Sequence, residues 1–139
     1  MILGNIYRPP SDLNFFSHFE KVLANVWMKD NNMMIVGDLN CDFTRSEGGV
    51  IHSRHGKKLQ DILRQYDLNV LNSEPTRVTE LASTVIYLII SSRDIKVKET
   101  GMLELGISDH MLIQGTVQMR IKKPPPKIVR GRSFKYFNE

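Results

Sequence analysis

Apolar positions recur along this chain with two periods. After "YRPPS", Phe15, Phe16, Phe19, Val22, Leu23, Val26 and Trp27 fall at helical spacing, which predicts an amphipathic helix with Ser11 or Asp12 placed to cap its first turn. "NMMIVG" is instead an unbroken apolar run that stops at Gly37, the pattern of a strand buried on both faces. A second helix is predicted from Gly56 to Tyr66, with Leu59, Ile62, Leu63 and Tyr66 on one side. "LNVLN" and "TRVT" read as short strands, "STVIYLIISS" as a longer one and "HMLIQGTVQMRI" as the last. Helices interleaved with strands, without repeats or low-complexity blocks, predict an α/β (α+β layered) domain.

Composition narrows this picture. With 139 residues, 41% hydrophobic and 24% charged, the chain has room for one compact core. Its longest strongly apolar run, "VIYLII", is far short of the roughly 20 residues of a membrane helix, and no membrane partner is expected. "MILGNIYRPP" lacks the basic start and continuous apolar stretch of a secretory signal. One cysteine, Cys41, excludes an intramolecular disulfide and suits a reducing, intracellular compartment. Net charge is +4, but the segment 120–139 carries seven basic residues against Glu139, which leaves 1–119 net acidic. That division gives a body, 1–119, and a basic Pro-rich linker or tail, 120–139. "KKPPPK" in the tail cannot continue a helix or central strand; it serves as a solvated connector or as a contact for phosphate backbone.

Two short motifs carry candidate chemistry. "GDLN" delivers Asp38 and Asn40 to the carboxyl end of a buried strand, where α/β proteins place ligands. Gly37 lets the backbone approach a substrate closely or take a positive φ. Asp38 is suited to orient a water, and the Asn40 amide to donate to a phosphate oxygen gaining charge. Taken alone, the tetrapeptide is equally a strand-ending turn. In "ISDHMLI", Ser108, Asp109 and His110 precede an apolar strand. Asp109 is a ligand for a hard cation or a base, and His110 a donor to phosphate. The plain alternative there is a capped turn with an exposed imidazole. His18, His52 and His55 show no metal-type spacing and are given surface positions.

In their order along the chain, "YRPP", "GDLN", "PTRVT", "STVIYLII" and "SDHMLI" resemble the endonuclease/exonuclease/phosphatase superfamily. More narrowly they resemble the apurinic-type endonuclease domain of non-LTR retrotransposons, in which an endonuclease precedes a reverse transcriptase. The resemblance runs from Ile2 to Val117, and the tail is similar to the connector toward the polymerase. It implies the carboxy-terminal part of a four-layer α/β/β/α sandwich and phosphodiester hydrolysis of DNA with Mg²⁺ or Mn²⁺. A reverse transcriptase domain in the parent element and a nuclear location are implied with it. Residue by residue, it places Tyr7 near the scissile phosphate, with Arg8 beside it for substrate. Asp38 and Asn40 position the attacking water and the phosphate. Asp109 stands on the metal side, with Ser108 for substrate, and His110 contacts the phosphate or serves as base.

Two departures from the family pattern lower the activity expected of this chain. The Asn and the principal metal-binding Glu of the family lie in an amino-terminal half that this sequence does not match. The family frame T-x-I-D reads "TVIY" here, which puts Tyr87 where an Asp orients the histidine. A phenol lacks the carboxylate's charge, so His110 is expected to lose its orienting partner. An unpartnered sheet face is also expected, with Met33, Ile35, Leu88 and Ile90 as its candidates. The alternatives are a catalytically inactive nucleic-acid-binding relic and a small-molecule or lipid phosphatase of the same superfamily.

Overall fold

The structure, a computed structural model, describes residues 1–119; the basic segment from 120 onward lies outside them. Four strands form one mixed sheet in the order β1 (Ile2–Tyr7), β2 (Met33–Asp38), β6 (Tyr87–Ser92) and β3 (Leu68–Val70). β1 and β2 run parallel, and β6 is antiparallel to both β2 and β3. The crossover from β1 to β2 is made by α1 (Phe15–Trp27), and α2 (Arg54–Gln65) lies between β2 and β3. Two hairpins complete the described chain. The first joins β4 (Arg77–Val78) to β5 (Ser83–Thr84), and the second joins β7 (Val97–Leu103) to β8 (Leu112–Val117).

The side-chain alternation of a strand sorts this sheet into two faces. Met33, Ile35, Leu88 and Ile90 are buried against Phe16, Phe19 and Leu23 of α1 and Leu59, Ile62 and Leu63 of α2. The four residues expected to form an unpartnered face are therefore the centre of the core. The helical stripes read from sequence supply the layer that covers them. The opposite face is covered at β6, where Gly115 of β8 lies against Ile89 closely enough that an added Cβ would stand 3.7 Å from its Cδ1. It is open at β1, where Leu3 is 65% exposed.

Several element ends differ from the sequence expectation for local reasons. Neither Ser11 nor Asp12 caps α1: the helix begins after Asn14, and the Asp12 carboxylate instead accepts the Asn14 N–H at 2.9 Å. α2 begins two residues before Gly56, because the Ser53 hydroxyl accepts the Gly56 N–H at 3.0 Å. "STVIYLIISS" is two strands separated at Val85 and Ile86. The backbone of that break is drawn away by Phe43, whose N–H donates to Val85, and by the Thr76 hydroxyl, which accepts from Ile86 N. Gly37 has φ 150°, and a Cβ there would stand 1.8 Å from the Ile6 carbonyl oxygen. Its small size thus serves contact between neighbouring strands rather than with substrate. Cys41 is fully buried and its S–H donates to the Leu39 carbonyl; burial pushes its thiol up to about 11.

Candidate active site

Strand register assembles the first half of the site. Tyr7 pairs with Asp38, and Asp38 pairs with Tyr87, so β1, β2 and β6 present three side chains side by side at one rim of the sheet. They share the face that carries Leu3, Met34 and Ile89, away from the helices. Tyr7 is 65% exposed, while Asp38 and Tyr87 are half-buried.

Beyond β2 the chain turns sharply. Asn40 has φ +45°, a left-handed conformation that Asn tolerates better than most residues. The turn closes through the Asp38 carboxylate, whose Oδ1 accepts the Asn40 N–H at 2.9 Å. The Asn40 amide donates to the Arg8 carbonyl at 2.8 Å, leaving one further N–H for a ligand. Arg8, expected at the substrate, is 1% exposed. Its guanidinium donates inward to the carbonyls of Asn40 and Pro10 at 3.1 and 3.3 Å, so it supports the rim from beneath.

The second half is brought in by the hairpins. His110 lies in a backbone bridge with Arg77 of β4, and Met111 N–H donates to the Thr76 carbonyl. The His110 ring stacks on Tyr87 with centroids 5.1 Å apart, and the phenol hydroxyl is hydrogen-bonded to Nδ1. The sequence predicts that His110 loses its orienting partner at Tyr87; the phenol instead shares a hydrogen bond with the ring and stacks on it, without a carboxylate's charge. Ser108 lies at the turn itself: its hydroxyl accepts the His110 N–H at 3.2 Å and donates to Asp109 at 3.4 Å.

Asp109 Oδ2 accepts from Arg77 Nε at 2.8 Å, and Oδ1 faces His110 Nε2 at 3.5 Å. The Arg77 hydrogen bond holds the Asp109 carboxyl below the ordinary carboxylate range. Tyr87 is pushed above the ordinary phenol value, first by burial and then by the negative charges of Asp38 and Asp109. The sense of the Tyr87–His110 hydrogen bond follows the imidazole tautomer: a ring with its proton on Nε2 accepts the phenol hydroxyl at Nδ1, and one with its proton on Nδ1 donates to the phenol oxygen.

The rim's carboxylates do not by themselves enclose a hard cation. Both Asp109 oxygens are engaged, and among the described residues no group of three or more His, Cys, Asp or Glu side chains is placed to hold a metal ion. Of the remaining histidines, His18 and His52 are exposed as expected, whereas His55 is half-buried against Phe16, ring centroids 5.8 Å apart.

Three structuring residues escaped sequence analysis. Arg77 neutralises Asp109; its signal was the quoted "PTRVT", to which no role was given. Thr76 is fully buried and accepts the N–H groups of both Ile86 and Tyr87 at 2.9 Å. Asn72 pairs with β6 through both ends of its amide, donating to Tyr87 O and accepting from Ile89 N at 2.8 Å. Nothing local in sequence marks a polar side chain that substitutes for a strand.

Comparison with known proteins agrees with this architecture. Among solved structures, the endonuclease domain of TRAS1, a telomere-specific non-LTR retrotransposon, is similar to the chain at a TM-score of 0.64 and 17% identity. The similarity covers 83% of this chain and 56% of that one, so the chain spans little more than half the length of this relative. No curated protein matches the chain. The family described as endonuclease-reverse transcriptase matches residues 1–114. Residues 1–114 contain every rim residue from Tyr7 to His110, and the chain belongs to the endonuclease-reverse transcriptase family.

Proposed function

We propose that this chain supplies one side of the active site of a retroelement-type endonuclease that hydrolyses phosphodiester bonds in DNA. The observation that carries the proposal is convergence. The acid-amide corner and the acid-imidazole corner, far apart in sequence, meet through Tyr87, which is register partner to Asp38 and hydrogen-bond partner to His110. Asp38 orients the attacking water, and the free Asn40 N–H donates to the phosphate oxygen that gains charge. His110 contacts the phosphate or serves as base. Tyr7 and Ser108 lie at the exposed edges of this rim and contact the substrate strand. The Mg²⁺ or Mn²⁺ implied by the resemblance draws its ligands only in part from these residues. The parent element's reverse transcriptase is the expected partner, with action in the nucleus.

Nicking of supercoiled plasmid in the presence of Mg²⁺ tests this reading. Slow nicking is expected from the chain alone, with further loss of at least tenfold on Asp38→Ala or His110→Ala. Tyr87→Asp, which returns a carboxylate beside Nδ1, is expected to raise the rate by roughly tenfold or more. Nicking that survives both alanine substitutions would remove these residues from the chemistry. A second reading, DNA binding without cleavage, is favoured by Tyr87 and by the Arg77–Asp109 ion pair. Its mark is salt-dependent affinity with no product formed.

A further inference from the structure

Arg8 carries a charge in a place where charge is costly. Arginine is almost never fully buried without a carboxylate partner, yet among the described residues Arg8 makes no ion pair. Its Nη1 donates to the Asn40 carbonyl at 3.1 Å, and Nη2 lies 3.3 and 3.5 Å from the carbonyls of Pro10 and Asp12. The guanidinium carbon stands 5.3 and 5.9 Å from the ring centroids of Phe16 and Phe15, and among the described residues Nε has no hydrogen-bond partner. Such an arrangement joins two loops, the exit of β1 and the exit of β2. Asn40 completes it from the other side, since its amide donates to the Arg8 carbonyl at 2.8 Å while the Arg8 N–H donates to Asp38 O at 2.8 Å.

We propose that Arg8 is a positioning residue, a clamp that holds Asn40 in its left-handed turn with one amide N–H spent on Arg8 and the other facing the substrate rim. Two properties of the site require an arginine. A planar fork reaches carbonyls on both loops at once, which a single ammonium does not. The left-handed backbone of Asn40 persists only if its surroundings fix it, and Arg8 binds both its carbonyl and its side chain. The catalytic consequence rests on the endonuclease reading; the clamp does not.

Side-chain amide exchange in the unmodified ¹⁵N-labelled chain tests the clamp directly. One Asn40 Nδ2 hydrogen is expected to exchange at least tenfold more slowly than those of exposed Asn5. Exchange at the rate of Asn5 overturns the proposal whatever the variants do. Arg8→Lys is expected to keep the far-UV spectrum and to lose that protection. In the nicking assay, Arg8→Lys and Asn40→Ala are each expected to lower kcat ten- to a hundredfold with KM within threefold. The double variant should be no slower than the slower single one. Multiplying losses would mean that Arg8 acts independently of Asn40 and would sink the idea. If the unmodified chain does not nick DNA under any condition, the endonuclease reading fails and the exchange measurement still decides the clamp.

Discussion

The two corners of the rim are built by different physics. The Asp38–Asn40 corner is an extension of the sheet: Asp38 is the last residue of β2, its strand is flanked on both sides, and a buried arginine fastens the turn from below. The Ser108–His110 corner lies between strands on an exposed segment, joined to β4 by a short backbone bridge and tied down by two side-chain links, Arg77 to Asp109 and Tyr87 to His110. Backbone ladders are cooperative and hard to perturb singly, whereas exposed side-chain links are individually weak. The first corner is thus the end of a continuous ladder, and the second rests on an isolated bridge and a few replaceable side-chain contacts.

This contrast can be broken most forcefully at Gly37. Gly37→Ala drives a Cβ into the Ile6 carbonyl, and its φ opposes any side chain, so a loss of about 3 kcal/mol or more is expected in urea unfolding. A near-neutral result would mean that the β1–β2 junction yields easily and that the first corner is not rigid. Thr76→Val sharpens the link between corners. It strands the N–H groups of Ile86 and Tyr87, for an expected cost of about 2 kcal/mol, and the His110 ring resonances should shift with it. Unchanged His110 resonances would show that the second corner is held without Thr76.

The smallest effect is expected at the exposed ion pair. The Asp109 carboxyl ionises lower in the folded chain than in the unfolded one, so its contribution is present above the ordinary carboxylate value and is lost as pH falls through the folded value. Arg77→Met should return the Asp109 titration, followed by carboxyl NMR, to the ordinary range. Global stability should be little altered at neutral pH, since both side chains are largely solvated. A large fall in the melting temperature would make this pair a structural one and erase the distinction between the corners.

The regular part of the fold was legible from the chain. Helical stripes in α1 and α2 and the apolar run of β2 follow from periodicity alone. β1 and β7 were not, because "ILGNIY" and "VKETGML" mix Gly and polar residues with apolar ones and earn their strand character only from partners. Sheet sidedness failed for a related reason. Met33, Ile35, Leu88 and Ile90 alternate correctly, but alternation does not say which layer meets them. In the site, the motifs singled out Tyr7, Asp38, Asn40, Asp109 and His110; strand register sets Tyr7 and Asp38 beside Tyr87, which in turn reaches His110. The supports beneath them were hidden. A buried cation at Arg8 and a threonine hydroxyl shared by two amides depend on tertiary placement, which no spacing encodes.

The inward thiol of Cys41 has a practical corollary for all of these experiments. It is the one cysteine in the sequence, and it is sealed from solvent and poorly ionised at neutral pH. Maleimide reagents should leave the native chain unmodified. A pair of cysteines introduced near Tyr7 and near Ser108 would then be the two attachment points for fluorophores or spin labels, so that distances between the two corners become measurable without first removing a native residue.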